Sequence, residues 1–359
     1  MRPSVHRILA STALAAVLIT PLTPAAAAPL PAGNAGLSRA GTVDPPETPP
    51  RRNTGDTVVH DPAIARTRTG WYVLSTGIED PTGAHPGGVL LRSSRDGRHW
   101  RLRDTLPVPA WVMDAVPGVR NIWAPDVSRH GGLWYVYYAA STFGSNNSVI
   151  GLLTSPTLDP ASPRYHWTDR GLVTRSQTGD TVNAIDPNLT VDASGRAWLA
   201  YGSFWSGITM IRVELPSGKP VEATPVRYPL VDRHVPPNAV EAPFVVRHRS
   251  WYYLFAAFDF CCQGVNSTYR TVVGRSRSIT GPYVDRTGRS LLAGGGSPFL
   301  DARGSMRGPG GASVTGGTLA FHYYDAADNG TPHLGLGRLA YRGGWPVPVR
   351  LRISHPVGR

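Results

Sequence analysis

The sequence has little lysine, and its positive charge is not concentrated anywhere. Lys219 is the one lysine, whereas lysine and arginine together number 36 against 24 acidic residues, a formal net charge of +12. The arginines are scattered, with no dense basic cluster and no nucleic-acid-binding motif. We therefore interpret the charge as a solvated surface and expect no nucleic acid partner. A steep salt dependence of binding would be needed to support the alternative, a nucleic-acid-binding protein.

Cysteine is almost absent as well. Cys261 and Cys262 are adjacent and are the only two. Two cysteines with no nearby His or further Cys do not make a zinc site. An exported protein usually oxidises its thiols, which favours a vicinal disulfide that would fix a local turn. Two buried thiols, or a link to another chain, are the alternatives that the sequence leaves open.

Long helical patterns and membrane-spanning runs are also lacking. Residues 1–28 have the pattern of a secretory signal peptide, with a positive start, a short apolar run over 8–19 and a small-residue cleavage site over 25–28. The apolar run is too short for a membrane anchor. Residues 29–55 hold almost no large apolar side chain and are predicted to be a disordered lead-in. We expect a secreted, extracellular protein with no membrane partner.

Glycine, proline and tryptophan are abundant, at 40, 34 and 10 residues, and a repeat accompanies them. Four times an acidic residue at a short turn precedes a Trp/Tyr-rich apolar run by about ten residues, the acids being Asp61, Asp126, Asp186 and Glu241. A fifth copy, at residues 308–311, lacks the acid. A unit of several strands used five times predicts an all-β, five-bladed β-propeller.

The predicted blades form one domain over residues 56–359. They are expected to begin near residues 58, 121, 183, 238 and 308. The segment after residue 333 would finish the last blade, and residues 56–60 would add a strand to it, which closes the ring and removes exposed sheet edges. No composition break divides the chain between residues 150 and 240.

The acids are candidates for chemistry because equivalent positions of different blades converge on one axis. A single Asp-Pro is usually a turn cap. Several carboxylates buried together are costly unless they have a role or a cation, and one is pushed towards the protonated state while another stays ionised. That split is what glycoside hydrolysis needs. Aromatic residues near the acids suit sugar stacking, with propeller core as their alternative role: Trp123, Phe143, Phe204 and Trp205.

Blocks around these acids resemble glycoside hydrolase family 43, and within it the endo-1,5-α-L-arabinanases. The resemblance runs from about residue 56 to 350. The blocks that carry it are residues 60–62, 121–126, 183–188, 201–208, 240–244, 261–264, 267–269, 273–276, 280–283 and 322–325. One block alone would be weak evidence for the resemblance, whereas all of the blocks in the same order are specific evidence for it.

The resemblance implies a five-bladed propeller that cleaves with inversion. Asp61 would be the general base, which activates a water below the sugar, and Glu241 the general acid, which protonates the leaving oxygen. Asp186 would hold Glu241 in position and raise its pKa. An inverting pair stands roughly 6.5–9.5 Å apart, a separation that opposite blades can supply.

The resemblance also implies substrate and metal contacts. Asp126 is either a substrate contact or a structural cap. The other expected substrate contacts are Trp123, Phe143, Asn183, Ser203 and His60, the last flanking the base. His322 would lie at the axis near a bound calcium ion with waters, although calcium prefers oxygen ligands and a single His would be an unusual shell.

One position departs from the family pattern. The family commonly has His where this chain has Gly311. The missing imidazole is expected to remove a polar contact near the axis, with effects on substrate affinity and on the metal surroundings. The three carboxylates are intact, so we expect an active enzyme.

The leading hypothesis is a secreted, monomeric endo-arabinanase that cleaves internal bonds of arabinan, a pectin side-chain polysaccharide, by single-displacement inversion. One alternative is an exo-acting or different family 43 specificity, such as arabinofuranosidase or xylosidase. The chain ends soon after the fifth blade, which favours an open groove and endo action. The other alternative is a non-catalytic glycan-binding propeller, for which Gly311 is the one supporting feature.

Overall fold

The computed structural model describes residues 52–354. The predicted signal peptide, residues 1–28, lies outside the described residues, as does most of the predicted lead-in. Within residues 52–354, no helix is long and apolar enough to cross a membrane.

Five antiparallel sheets follow one another along the chain, and each is one blade. Blade 1 contains β1 (Thr54–Gly55), β2 (Ala63–Arg66), β3 (Trp71–Ser75), β4 (Leu90–Ser94) and β5 (His99–Thr105), with β1 parallel to β5. Blade 2 contains β6 (Ile122–His130), β7 (Leu133–Ala140), β8 (Ser148–Ser155) and β9 (Thr168–Ser176). A short helix, α1 (Trp111–Ala115), lies between these two blades in the chain.

The remaining blades repeat this plan. Blade 3 contains β10 (Asn188–Val191), β11 (Ala197–Tyr201), β12 (Ile208–Glu214), β13 (Lys219–Pro220) and β14 (Tyr228–Val231), the last two both paired with β12. Blade 4 contains β15 (Val240–His248), β16 (Trp251–Phe258), β17 (Arg270–Ser276) and β18 (Ser297–Leu300). Blade 5 contains β19 (Met306–Thr315), β20 (Thr318–Asp325), β21 (Thr331–Arg342) and β22 (Trp345–Arg352). Short 3₁₀ turns occupy Gly264–Asn266, Leu291–Ala293 and Ala326–Asp328.

The first long strand of each blade lines the centre of the ring. β2, β6, β10, β15 and β19 contact one another in that order, and β19 contacts β2 again. This cyclic arrangement confirms the predicted five-bladed β-propeller. The predicted starts of the blades lie within about five residues of these strands.

The hydrophobic core is divided among the gaps between blades. Five clusters of buried side chains each join two neighbouring blades, including blade 5 to blade 1. In β7, Trp134 and Val136 pack towards blade 1, whereas Tyr135 and Tyr137 pack towards blade 3. Successive side chains of a strand point to opposite faces, so a continuously apolar strand can fill two gaps at once.

The N-terminal segment joins the last blade to the first. The Val59 N–H donates to the Pro332 carbonyl and the Leu334 N–H donates to the Thr57 carbonyl. The predicted pairing with blade 5 is therefore found, as an isolated bridge from Val58 and not as a full strand. The lead-in was predicted to reach residue 55, which is wrong at its end. Asn53 is buried and residues 54 and 55 pair with β5, because two blades supply backbone partners there.

Candidate active site

One residue per blade turns the chain at the axis in a left-handed backbone conformation. These residues lie two positions before the first regularly paired residue of each innermost strand. They are Asp61, Ala124, Asp186, Ala242 and Gly311, with φ of 50°, 41°, 57°, 52° and 59°. Non-glycine residues rarely adopt this conformation, and it is concentrated at functional sites. The turns therefore direct Asp61 and Asp186 to the axis from equivalent places.

Asp61 is held by three side chains from two blades. Its Oδ2 accepts a hydrogen bond from Thr76 Oγ1 at 2.7 Å and lies 2.7 Å from His60 Nδ1. Its backbone N–H donates to His322 Nδ1 at 3.1 Å. Burial alone would raise the pKa of Asp61, but the charge and hydrogen bond of His60, with His322 and Thr76, lower it well below the usual range. Asp61 is thus ionised, as a general base must be.

His60 connects this carboxylate to the rim of the site. Its Nε2 hydrogen-bonds Tyr324 Oη at 2.7 Å, and its ring stacks on His322 with centroids 3.9 Å apart. Burial lowers the pKa of His60, but the charge and hydrogen bond of Asp61, with the charge of Glu241, raise it overall. His60 therefore lies against Asp61, the predicted base, and is engaged on both ring nitrogens.

The two cysteines lie at this rim. Cys261 and Cys262 form a vicinal disulfide, so of the three alternatives the first is the one found. The backbone N–H of Cys262 donates to Tyr324 Oη at 2.7 Å. The turn that the disulfide fixes thereby supports the tyrosine that contacts His60.

Glu241 lies between two hydroxyl groups. Ser203 Oγ donates to its Oε2 at 2.7 Å, and Tyr269 Oη donates to its Oε1 at 2.8 Å. Burial raises the pKa of Glu241, the two hydroxyls lower it and the charge of Asp61 raises it, with a net upward shift. A raised pKa favours the protonated form of a carboxyl group, which is the form that a general acid needs.

Asp186 stands beside the acid. Its Oδ2 accepts the backbone N–H of Ala242, the residue after Glu241, at 2.9 Å. Burial and the charges of Glu241 and Asp61 raise the pKa of Asp186 well above its usual value. Asp61, Asp186 and Glu241 thus share one electrostatic environment at the axis, although they belong to three different blades.

Asp126 does not join them. It lies two positions after the left-handed Ala124, so it occupies the strand and not the turn. Asn188 Nδ2 and the Leu189 N–H donate to its two carboxylate oxygens, and it is 4% exposed. Burial raises the pKa of Asp126 to about 6 against these two hydrogen bonds. Of its two predicted roles, the contacts match the structural cap.

The predicted sugar contacts differ in accessibility. Trp123 is partly exposed, and its Nε1 donates to Asn121 Oδ1 at 2.9 Å. Phe143 is 83% exposed, in the turn after β7 at the end of the blade where the acids lie. Asn183 is 3% exposed and its Oδ1 accepts from Ser148, while Ser203 is engaged with Glu241. The structure therefore places Trp123 and Phe143 where a ligand could touch them, and gives Asn183 and Ser203 internal partners.

Three site residues were given no role from the sequence: Thr76, Tyr269 and Tyr324. Tyr269 and Tyr324 fall inside blocks that carry the family resemblance, which was the available signal. Thr76 falls in no such block, and its position after β3 gave no hint that it reaches Asp61.

His322 is the residue that could attach a metal ion. It is fully buried, and its Nε2 has no hydrogen-bond partner among the described residues. Burial and the charge of His60 lower the pKa of His322 well below its usual value, which favours a neutral ligand. A metal at Nε2 would require the proton on Nδ1, where it would face Asp61 Oδ1 at 3.5 Å and would replace the hydrogen bond that Nδ1 accepts from the Asp61 N–H. His322 could thus give a cation one nitrogen, and among the described residues it groups with His60 and Asp61, with ligand atoms all within 4.8 Å of one another.

Gly311 faces the same axis. A Cβ added there would lie 2.9 Å from His322 Nδ1 and 3.2 Å from Asp61 Oδ1. A side chain at this position would therefore alter the surroundings of the base directly, and its backbone conformation would be strained for any residue but glycine.

Comparison with known proteins relates this chain to one enzyme family and to individual enzymes. Residues 52–346 match the family described as glycosyl hydrolases family 43. An extracellular endo-α-(1→5)-L-arabinanase of Bacillus subtilis is 40% identical over 294 residues, covering 80% of this chain and 87% of that protein. An extracellular exo-α-(1→5)-L-arabinofuranosidase of Cellvibrio japonicus is 39% identical over 307 residues, covering 80% and 85%.

The solved structures agree with the sequence relatives. A family 43 endo-arabinanase from Bacillus licheniformis superimposes with a TM-score of 0.77 at 39% identity, covering 82% of this chain and 99% of that one. The family match, over residues 52–346, reaches the start of β22 and includes the residues of the site.

Proposed function

This chain belongs to glycosyl hydrolases family 43 and is a glycoside hydrolase, and we propose that it cleaves internal α-1,5-L-arabinofuranosidic bonds of arabinan with inversion. The observation that carries the proposal is the meeting of two buried carboxyl groups at one axis in different surroundings: His60 and Thr76 hydrogen-bond Asp61 and lower its pKa, whereas burial raises the pKa of Glu241. An inverting glycosidase needs one ionised and one protonated carboxyl.

The proposed reaction assigns one proton transfer to each group. Glu241 gives its proton to the glycosidic oxygen as the bond from that oxygen to the anomeric carbon breaks. Asp61 takes a proton from a water whose oxygen bonds to the opposite face of that carbon. His60 and Thr76 orient Asp61 through their hydrogen bonds to Oδ2. Asp186 keeps the backbone after Glu241 in place through the Ala242 N–H.

Two relatives support different modes of attack. The Bacillus subtilis relative is described as an endo enzyme and the Cellvibrio japonicus relative as an exo enzyme, at nearly equal identity. The endo mode is our proposal and the exo mode is its alternative. The early products from linear 1,5-α-arabinan separate them, because endo action releases mixed short oligosaccharides and exo action releases one small product from chain ends.

The central test combines product analysis with a change at the acid. Glu241→Gln keeps the size of the side chain and one of its two acceptor oxygens but cannot donate the proton, so turnover should fall by at least about 1,000-fold with the fold and arabinan binding retained. Glu222→Gln, at an exposed glutamate, is the matched control and should be fully active. Full activity of Glu241→Gln would refute the assignment. Tight binding without cleavage by the wild type would favour the glycan-binding propeller.

We also propose that a hydrated calcium ion binds at His322 Nε2. When bound, it would supply positive charge that favours ionised Asp61. Chelation should lower the unfolding temperature or the activity of the wild type, and metal analysis should find less calcium in His322→Gln. His166→Gln, at an exposed histidine, is the control. Unchanged stability and activity after chelation, with no calcium found, would overturn the proposal.

We further propose that the protein is exported and acts as a monomer outside the cell, on arabinan that is a side chain of pectin. The extracellular relatives support this. The mass of the protein in culture fluid tests it, since cleavage after residue 28 predicts that mass, and its elution volume tests the monomer. Retention of residues 1–28, or elution as a dimer, would contradict the corresponding part.

A further inference from the structure

We infer that Tyr269 is a positioning residue for Glu241, and that glycine at position 310 is what allows the tyrosine ring to reach it. The inference rests on the proposed role of Glu241 as the acid.

The carboxyl group of Glu241 is fixed by two blades. Ser203 reaches Oε2 from the turn after β11 in blade 3, and Tyr269 reaches Oε1 from the residue before β17 in blade 4. Both hydroxyl-bearing residues are 3% exposed. Because each oxygen has its own donor, the plane of the carboxyl group cannot rotate without losing a hydrogen bond in a buried place, which is costly.

Tyr269 in turn is placed by blade 5. A Cβ added to Gly310 would overlap the ring atoms Cδ1 and Cε1 of Tyr269. Its ring also lies nearly parallel to His322, at 18° with centroids 5.8 Å apart. Gly310 does not have a positive φ, so the backbone there suits any residue. Glycine is therefore required at 310 by the space that the Tyr269 ring occupies, and not by chain conformation.

The same glycine-rich run also accommodates Tyr324 and Asp61. A Cβ at Gly308 would lie 3.0 Å from the ring of Tyr324, and one at Gly311 would crowd Asp61. The three glycines of this run thus each leave space for one side chain of the site: Gly308 for Tyr324, Gly310 for Tyr269 and Gly311 for Asp61. The sequence shows this run as the copy of the repeat without an acid, and the space it leaves gives it a function.

The hydroxyl groups of Ser203 and Tyr269 lie where they can stabilise the negative charge that Glu241 acquires when it gives up its proton. During cleavage the O–H bond of Glu241 breaks and its proton passes to the glycosidic oxygen, while Asp61 takes a proton from the attacking water, so that Glu241 is left as the carboxylate. Hydroxyl donors stabilise that carboxylate more than the neutral acid. Tyr269 therefore acts through Glu241 in two ways: it orients the group before transfer and stabilises the charge that transfer leaves.

The first experiment removes only the hydroxyl. In Tyr269→Phe we expect kcat on arabinan to fall roughly 10- to 100-fold, the size of one hydrogen bond to a charged group. The KM should change by less than about threefold, because the tyrosine is not proposed to touch substrate. Loss of a donor to the ionised form raises the pKa of Glu241, so the alkaline limb of the rate profile should move to higher pH.

A matched control separates positioning from stability. Tyr283→Phe removes another buried hydroxyl of blade 4, whose partner is the Ile279 carbonyl. It should lower stability without moving the alkaline limb. An aryl arabino-oligosaccharide with an acidic phenol as leaving group needs little proton donation, so Tyr269→Phe should be nearly as active on it as the wild type.

Gly310→Ala tests the space for the ring. It should lose activity as Tyr269→Phe does, and the double variant should be little worse than either single one, since both remove the same contact. If Gly310→Ala fails to fold, adding Tyr269→Ala should restore folding, because the overlapping ring is gone, but should not restore activity.

A measurement without substrate keeps this inference separate from the proposed function. Carbon-13 titration of the glutamate carboxyl groups should show a higher pKa for Glu241 in Tyr269→Phe than in the wild type. If the wild type does not cleave arabinan but this pKa rises, the substrate proposal fails and the positioning role stands. Unchanged kcat, alkaline limb and Glu241 pKa in Tyr269→Phe would overturn the inference.

Discussion

A side chain at the centre of this propeller is placed by the backbone conformation of its turn. Asp61 and Asp186 are themselves the left-handed residues of their turns, whereas Glu241 directly precedes the left-handed Ala242. A left-handed non-glycine residue costs roughly 1–2 kcal/mol. Three carboxyl groups therefore meet at the axis at some expense in backbone strain, which the rest of the fold must offset.

His60, which lies beside the proposed base Asp61, is expected to set the acidic side of the rate profile. The charge and hydrogen bond of His60 lower the pKa of Asp61, so the base stays ionised at pH values where an ordinary aspartate, with a pKa of about 4, takes up a proton. His60→Gln removes the charge while burial continues to favour the neutral form. We expect the acidic limb of kcat/KM to move to higher pH, measured with buffers that keep the fold intact.

The control for this change is His130→Gln, at a histidine in the last position of β6, far from the acids along the strand. The acidic limb of kcat/KM in His130→Gln should match that of the wild type. If the acidic limb of kcat/KM does not move in His60→Gln, groups other than His60 keep Asp61 ionised.

At the scale of the strand, adjacent blades are joined by a repeated cap. The first regularly paired residue of an innermost strand accepts a backbone N–H from the following blade in three of the five gaps. Asp126 accepts from Leu189, Asn188 from Val245 and Ser313 from Ile64. Innermost strands of neighbouring blades diverge and do not form a ladder with each other, so side chains supply the acceptors that buried N–H groups need.

Because Asp126 belongs to this cap and not to the group of acids at the axis, it shows which part of the site could be predicted from the sequence. A repeat of acids about 60 residues apart predicts convergence, and it correctly brings Asp61, Asp186 and Glu241 together. The same repeat includes Asp126, because a spacing near 60 residues cannot resolve a shift of two positions. Those two positions decide whether a carboxylate lies in the turn or in the strand.

Replacing Asp126 should therefore lower the stability of the propeller with little effect on catalytic activity. Asp126→Ala leaves two buried donors, the Asn188 amide and the Leu189 N–H, without their acceptor, at about 1–3 kcal/mol each. We expect the unfolding temperature to fall by several degrees, since a domain of this size loses about 2 °C per kcal/mol. Below the transition, kcat should stay within about threefold of the wild type.

Asp301→Ala, at an exposed aspartate, serves as the comparison and should unfold at the wild-type temperature. A large loss of kcat in well-folded Asp126→Ala would instead favour the substrate contact that the sequence left open.

At the scale of the whole molecule, the fold could be predicted because a propeller repeats one unit. Turns and apolar strands recur five times, so errors in any one blade do not alter the architecture. The contacts of Tyr269 with Glu241 and of Thr76 with Asp61 could not be predicted, because they join different parts of the chain through the shape of the centre. Each contact lies within one blade, between the start of its innermost strand and the loop after the next strand, and no local sequence pattern encodes how that loop is placed.

Closure itself depends on the short segment before Asp61. Val59 is buried in the cluster that joins blades 5 and 1, and the Val58 carbonyl accepts from Arg92 in β4. The segment also exchanges hydrogen bonds with β21 on both sides of His333. Burial of one valine stabilises by about 1.5–3 kcal/mol and each hydrogen bond by about 0.5–1.5 kcal/mol, so the segment contributes several kcal/mol.

A chain that begins at residue 60 should therefore unfold at a markedly lower temperature than one that begins at residue 52. It should also lose activity below that temperature, because Asp61 directly follows the missing segment and its turn is no longer anchored to blade 5. Calorimetry and arabinan hydrolysis measure the two effects on the same preparations. If the shorter chain matched the longer one in both, the ring would be closed by packing of β19 against β2 alone, and the N-terminal segment would have no part in placing the base.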